Sequence, residues 1–549
     1  MPKKLAITGF LRYNNVMDKT ILASLPSEAN NYILNLESDI TRLQAQVTRL
    51  EELLRAANDA LYGRSSEKTR YVLSNPNQLT LFNEAEACTD DTTVQEELVV
   101  IKTYARKKKR TKEELAKELP VIEEIIDLPE GARGCNICES EMHPIGKELV
   151  RRELCVTPAK AYVKEIYTVN YACGPCAEES EQANIVKPEV PVPVINRGLG
   201  SPSSVAYTIY QKFVNALPFD RQEKDWANFG VQISRATLAN WVIYVSIKWL
   251  SPLYAQLKAV LVCSAVIQSD DTPVQVLHEP DKAPESESRM WVYRTGTFVQ
   301  THIILFEYQP DKAGERPKAF LEKAPPGFYL QTDGCASYNK VVGAIHCGCM
   351  AHLRRKLVEA LPPTDKQESL AAKGLDFILK LFALEDEFKE LTPENRLKER
   401  LTRSKPVLDG FFAWVDSVNP LAGSKLGTAI TYARNQQKPL SAFLLDGRIS
   451  IHNNASENAI RPFVRGRNNW LFSDSVPGAE ASAVCYSIVE TAKANGINPF
   501  KYLNYLFCVL PTVLTKNPDA DLTQFFPWSV DTRERCRARD PVTGRLVFD

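Results

Sequence analysis

Residues 451–472 read IHNNASENAIRPFVRGRNNWLF, a stretch whose single acid, Glu457, stands in an otherwise basic and polar run. Arg461, Arg465 and Arg467 follow it, and no acid intervenes before Asp474. Positions 457, 461 and 465 are spaced i, i+4 and i+8, so a helix here carries one carboxylate and two guanidinium groups along one face. An oxygen ligand for Mg²⁺ beside cations for phosphate is how a metal-dependent phosphoryl-transfer site begins. Pro462 is expected to kink or end the helix, so the three arginines need not share one face. The same letters allow a plainer reading, in which Asn454 and Glu457 form a capping box and the carboxylate satisfies a backbone N–H. What separates the two readings is whether other carboxylates stand at strand ends elsewhere.

They do. Residues 261–268, LVCSAVIQ, form an apolar run of strand type that ends at Ser269, Asp270, Asp271 and Thr272. Further strands are predicted over residues 290–294 and, after the Thr295-Gly296 turn, over 298–306. Another, 327–331, ends at Thr332, Asp333 and Gly334. A strand that stops on an aspartate leaves the carboxylate at the open end of the sheet, where ligands gather in α/β folds. One such aspartate is usually a turn residue. Asp270, Asp333 and Glu457 together offer hard oxygen donors for two Mg²⁺ (or Mn²⁺) ions about 3.5–4 Å apart, with Asp271 a rival for the first position. The long interval between Asp333 and Glu457 shows no strand and reads as an α-helical insertion. Within it His352, Arg354, Arg355 and Lys356 form a basic cluster suited to phosphate contacts or to a solvated helix face.

The rest of the chain frames this region. At 549 residues it exceeds one core, and roughly 100–200 residues per domain implies three to five units. Lys plus Arg and Asp plus Glu both number 67, so a nucleic-acid partner is held by local patches and not by overall charge. No apolar run approaches the roughly 18 residues that span a bilayer. The expectation is a cytoplasmic protein with no membrane partner, nucleoid-associated when bound to DNA. Thirteen cysteines read as reduced thiols with one metal site.

Near the start, Ile33, Ile40, Val47 and Leu54 occupy one heptad register and Leu36, Leu43 and Leu50 the other. β-Branched a positions with Leu at d favour a parallel two-stranded coiled coil and hence a homo-oligomer; the alternative is an amphipathic helix packed on its own core. Residues 102–112, KTYARKKKRTK, hold seven cations and no anion. Such a run is either a solvated arm or, through Lys107, Lys108, Lys109 and Arg110, a grip on DNA phosphates by counterion release. Cys135 with Cys138 and Cys173 with Cys176 are two CxxC pairs that supply four thiolates for a structural Zn²⁺, with His143 and Cys155 as bystanders. Residues 220–229, a turn at Gly230 and a second helix capped by Ser234 outline a helix-turn-helix. Leu238 and Trp241 face inward there, and Arg235, Thr237 and Asn240 are offered to a groove. The tail from residue 486 carries further helix and then Phe525, Phe526 and Trp528, with no chemistry assigned.

Several stretches taken together resemble the transposases of insertion-sequence family sixty-six. They include LYGRSSEK (61–68), the paired CxxC region, YQKFVNALPFDRQEKDWANFGVQISRATLANWV (210–242), DDTPVQVL (270–277), WVYRTG (291–296), YLQTDGCASYNKV (329–341) and AHLRRKLVEA (351–360). The most specific runs from 453 to 503, NNASENAIRPFVRGRNNWLFSDSVPGAEASAVCYSIVETAKANGINPFKYL. The resemblance implies a multidomain α/β protein. Its parts would be an N-terminal region with a leucine-zipper-like coiled coil over 1–60, a linker with a basic arm over 61–128, a zinc-binding domain over 129–195 and a helix-turn-helix-like helical domain over 196–255. A ribonuclease-H-like catalytic domain would follow over 256–345 and 445–500, interrupted by the α-helical insertion at 346–444, with a C-terminal region at 501–549.

The resemblance also implies a catalytic triad of Asp270, Asp333 and Glu457. The implied activity is Mg-dependent cleavage and strand transfer of double-stranded DNA, both the element's terminal inverted repeats and a target, with accessory proteins of the same element as further partners. The alternative is a sequence-specific DNA-binding regulator whose catalytic fold is only a scaffold. Two positions depart from the family pattern: Asp271 stands where Glu is usual and Cys335 where Tyr is usual. If the heptads drive self-association, Leu43→Lys lowers the hydrodynamic size measured by light scattering; an unchanged size refutes the coiled coil.

Overall fold

The computed structural model describes residues 161–167, 190–362 and 369–537, the pairs 171–172 and 185–186, and scattered helical positions between 35 and 46. The basic arm and the four CxxC cysteines lie outside the described residues, as does most of the heptad region. Of the heptad positions, Leu36, Ile40 and Leu43 are helical and exposed. None of the described cysteines is in a disulfide. The chain divides into two compact units, one of residues 1–98, 352–389 and 400–437, the other of 99–351, 390–399 and 438–549.

The second unit is built on a sheet. Two short strands come first, β1 (Tyr171–Ala172) and β2 (Ile185–Val186), paired antiparallel with each other. The main sheet has the order β5-β4-β3-β6-β7, with β8 pairing β3. Its strands are β3 (Val266–His278), β4 (Glu287–Thr295), β5 (Ile304–Gln309), β6 (Tyr329–Gln331), β7 (Ile345–Cys347) and β8 (Ser473–Ser475). β3, β4 and β5 form an antiparallel meander, whereas β6, β7 and β8 run parallel to their neighbours. Burial along β3 explains its place. Val266, Ile267, Gln268 and Ser269 are all buried, so both faces are covered there. From Thr272 onward Thr272, Val274 and Val276 are buried and alternate with half-exposed Pro273, Gln275 and Leu277, the period-two signature of a one-sided strand.

Before the sheet come α1 (Pro202–Phe213), α2 (Phe219–Asn228) and α3 (Arg235–Val245). Ser201 and Ser204 form a reciprocal capping box on α1, and the Ser234 hydroxyl accepts from Thr237 N at the start of α3. Gly230, at φ +81°, takes the left-handed conformation that turns α2 into α3. Leu238 and Trp241 are buried as expected. A π-helical turn, Ser246–Leu250, carries α3 into α4 (Ser251–Val262).

Four expectations are corrected here. Leu261 and Val262 belong to α4 and not to a strand, because Leu253, Leu257 and Leu261 recur every four residues as a buried helical stripe. The strand begins at Val266 and runs on to His278, so Asp270 lies inside it and not at its end. Phe298 is outside β5, which starts at Ile304. After β5 come α5 (Glu315–Phe320), then β6 and β7; β7 is a strand in the interval that showed none, so the helical insertion starts beyond Cys347.

The insertion comprises α6 (Met350–Glu359), α7 (Leu370–Glu387), α8 (Pro393–Glu399), α9 (Lys405–Ser417), α10 (Lys425–Asn435) and α11 (Gln437–Ser441). Within the first unit, the ring of Trp414 lies against Gly374, where a Cβ would come within 2.4 Å of it. The buried Arg400 guanidinium bonds the Glu385 carboxylate at 2.6 and 2.7 Å.

Returning to the sheet unit, α12 (Asn454–Trp470) continues through Pro462 rather than ending there. It is followed by β8, α13 (Val476–Ala494), α14 (Pro499–Lys516) and α15 (Val530–Cys536). The tail is part of the same core. Phe525 and Phe526 are buried, and Gln256 of α4 bonds Ala520 O and Leu522 N at 2.8 and 2.9 Å.

Helix α13 closes the open edge of β5 with side chains. Ser487 Oγ accepts from Phe306 N at 2.7 Å, Thr491 Oγ1 accepts from Ile304 N at 3.0 Å and donates to Ile304 O at 2.8 Å, and Asn495 bonds His302 N and O. The spacing i, i+4, i+8 puts these three on one helical face. Thr491→Val keeps the shape and orphans both Ile304 groups, so it should cost about 1–3 kcal/mol, seen as a lower urea midpoint with an unchanged far-UV spectrum.

Candidate active site

The sheet register brings two of the predicted acids to one level. Gln268 of β3 is paired with Gln331 of β6, and their side chains bond each other at 2.8 Å in the interior. Two residues further along each chain stand Asp270 and Asp333, on neighbouring parallel segments spaced about 4.8 Å apart. β6 stops at Gln331, Gly334 adopts φ +87°, and Asp333 Oδ1 accepts from Cys335 N at 2.9 Å in a tight turn.

Glu457 stands on the first turn of α12, near enough for its charge to act on Asp270. The segment that delivers it is tied to three strands. Gln331 Nε2 donates to Ser450 O at 2.6 Å, Asn453 Nδ2 to Ser269 O at 2.9 Å, and Arg294 Nη1 of β4 to Ala455 O at 2.9 Å. Asn453, and not Asn454, holds the N-cap position, and its side chain is committed to β3 rather than to the helix; the capping-box reading of Asn454 and Glu457 is therefore replaced. An acid in the first turn is favoured by the helix dipole wherever it points.

The electrostatics agree with the placement. Burial first, then the charge of Asp333, with smaller contributions from Asp271 and Glu457, push the Asp270 carboxyl from 3.8 up to about 8, against an opposing bond from Asp271 N. An acidic cluster in which burial and neighbouring carboxylates raise the proton affinity of Asp270 would suit hard divalent cations, which would neutralise it. Asp271, next along the strand, is engaged elsewhere. Its side chain is 3% exposed and meets Lys312 Nζ at 2.9 Å and Arg289 Nη1 at 3.4 Å.

The predicted basic positions are distributed. Arg465 is exposed and Arg461 half-buried on α12, while Arg467 bonds Thr272 Oγ1 at 3.2 Å and the carbonyl of Pro273, tying α12 to β3. Arg235, Thr237 and Asn240 are exposed along α3. On α6, Arg355 is exposed, Arg354 lies 5.9 Å from the ring of Phe382, Lys356 lies 5.2 Å from that of Tyr432, and His352 is half-buried. Sequence reasoning missed Asn453, Arg294, Arg289 and Lys312. The Asp270-Asp271 doublet was a signal for the last two, since a second buried acid requires cations.

A mixed sheet carrying these acids, preceded by a helix-turn-helix-like pair and interrupted by a run of helices, defines a multidomain α/β class. The chain belongs to the IS66 family of transposases: the model described as "Transposase IS66 family" matches residues 197–481. The IS66 C-terminal element matches 487–528, the zinc-finger binding domain of transposase IS66 matches 132–177, and "Transposase C of IS166 homeodomain" matches 49–123. The zinc-finger match spans Cys135, Cys138, Cys173 and Cys176. Among similar proteins of Sinorhizobium fredii (strain NBRC 101917 / NGR234), the uncharacterized protein y4jD is 28% identical over 71% of this chain and 76% of its own length. The uncharacterized protein y4qI is 26% identical over 93% of this chain and 95% of its own. No helix among the described residues is long and apolar enough to cross a membrane.

Because the folded Asp270 carboxyl holds its proton up to about pH 8, its contribution to metal-free stability is full below about pH 4 and is lost as pH rises through 8. In magnesium-free buffer the thermal midpoint should fall over that window. Asp270→Asn should flatten part of the fall and raise the midpoint at the alkaline end, at roughly 2–4 °C per kcal/mol.

Proposed function

We propose that this chain is a DNA transposase that binds the terminal inverted repeats of its own element, cleaves there, and joins a 3′ end to target DNA. The observation that carries the reading is the pairing of the Asp270 and Asp333 segments by the sheet register, with Glu457 near enough that its charge adds to burial and to the charge of Asp333 in raising the proton affinity of Asp270. The sheet order also supports a ribonuclease-H-like catalytic region: an antiparallel meander, β3-β4-β5, extended on the other side of β3 by the parallel strands β6 and β7.

Asp270, Asp333 and Glu457 would hold two Mg²⁺ (or Mn²⁺) ions, which when bound supply an activated water or 3′-hydroxyl and stabilise the leaving oxygen. What the protein's own residues contribute is position. The bonds from Asn453, Gln331 and Arg294 fix the start of α12, so Glu457 is presented without a large rearrangement. Arg461 and Arg465 would take backbone phosphates beside the acids, and Arg467 would join them only by giving up its bonds to β3. Arg235, Thr237 and Asn240 would read a groove. His352, Arg354, Arg355, Lys356 and the arm Lys107, Lys108, Lys109 and Arg110 would add phosphate contacts.

Cys135, Cys138, Cys173 and Cys176 would bind a structural Zn²⁺, a reading supported by the zinc-finger match over 132–177. Self-association through the N-terminal heptads, a cytoplasmic site of action and accessory proteins of the same element complete the proposal. The test is strand cleavage and joining with labelled element ends in Mg²⁺. Asp333→Asn should abolish both reactions while DNA binding, measured by gel shift, survives; a mutant that still cleaves removes Asp333 from the centre, and a wild-type chain that binds without cleaving is a regulator.

A further inference from the structure

The loop between β5 and α5 reaches Asp271 and the turn that follows Asp333. Asp311 shapes it: Oδ1 accepts from Ala313 N at 2.9 Å, and the carboxylate takes Arg316 at 3.0 and 2.8 Å. Gly314 lets the loop lie flush on the turn after Asp333, since a Cβ there would sit 2.7 Å from Ser337 O. Lys312, at the loop's apex, has two anchors. Its carbonyl accepts from Ser337 Oγ at 2.7 Å, four residues beyond Asp333, and its ammonium lies 2.9 Å from Asp271 Oδ1.

Asp271 in turn holds Asp270. The Asp271 N–H donates to Asp270 Oδ1 at 2.8 Å, so whatever fixes the Asp271 residue fixes the peptide that orients the neighbouring carboxylate. The Asp271 side chain is almost fully buried, and a buried carboxylate keeps one conformation only while its counter-charges stay in place. Arg289 is a weaker partner, at 3.4 Å and shared with the exposed Glu287 at 3.1 Å. Although burial lowers the Lys312 ammonium, the bond to Asp271 and the charges of Asp271, Cys335 and Asp333 leave it above its ordinary value and hence charged.

We propose that Lys312 is a positioning residue of the acidic centre: by clamping Asp271 with its side chain and the Asp333 turn with its backbone, it sets the orientation of Asp270 and the spacing of the two aspartates. The inference rests on the metal-centre reading of Asp270, Asp333 and Glu457. Residues that orient metal ligands in this indirect way typically alter metal affinity by roughly 10–100-fold when lost.

The experiment uses the full-length, zinc-loaded chain and Mn²⁺ as the probe, with free Mn²⁺ counted by electron paramagnetic resonance. Lys312→Met should weaken Mn²⁺ binding by roughly tenfold and lower the kcat of strand cleavage without raising the KM for DNA. Lys312→Arg should restore most of both, and Lys312→Met combined with Asp271→Asn should be no worse than the more impaired single variant, because the two act through one contact. Should Lys312→Met compromise folding, Ser337→Ala removes only the hydroxyl that holds the Lys312 carbonyl and should show a smaller loss of Mn²⁺ affinity. Wild-type Mn²⁺ affinity in both Lys312→Met and Ser337→Ala, or a rise in KM alone, overturns the proposal. Asp270→Asn separates the two levels: if it leaves Mn²⁺ binding intact the metal centre itself is wrong, whereas loss in Asp270→Asn with none in Lys312→Met defeats only the role of Lys312.

Discussion

An aspartate buried beside other acids is the constraint around which the acidic site is arranged. Two like charges about 5 Å apart at an effective dielectric near 20 oppose each other by on the order of 3 kcal/mol, and Asp270 lies within the field of Asp333, Asp271 and Glu457 together. A chain free to relax would let them part. They are kept together because each is carried by an element fixed elsewhere: Asp270 by a strand paired with β4 along Ile267 to Gln275, Asp333 by a turn bonded to its own backbone, Glu457 by a helix laced to three strands. In the metal-free protein Asp270 meets that field by keeping its proton up to about pH 8.

Local sequence signals foretold some of this and missed the rest for identifiable reasons. Asp333 was readable because a short apolar strand followed by Thr-Asp-Gly has one common outcome, a turn with glycine at positive φ. The helix of Glu457 was readable from its i, i+4 pattern, and the helix-turn-helix from Ser234, Gly230 and the inward Leu238 and Trp241. Asp270 was assigned to the wrong part of its strand. The doublet and Pro273 look like a break, yet Thr272, Val274 and Val276 alternate as buried residues and the strand continues. Asn453 and Lys312 could not be located from sequence, since their partners Ser269 and Asp271 are distant in the chain and meet them only after folding.

Polar side chains do much of the joining that backbone pairing leaves undone. β6 pairs β3 over residues 266–268 and β8 pairs it at Val276 and His278, and between those registers α12 supplies Asn453 to Ser269 O and Arg467 to the Thr272-Pro273 segment. A helix therefore stands where a longer strand would otherwise be needed.

The row of Ser487, Thr491 and Asn495 along β5 has a different consequence. An unpaired outer strand is a template on which another chain can add its own, the route to runaway association. Here the template is already occupied by hydroxyls and an amide of the same molecule. Copies gathered at high local concentration on one nucleic acid are thereby barred from polymerising through that margin, and any contact between them has to be made on other surfaces.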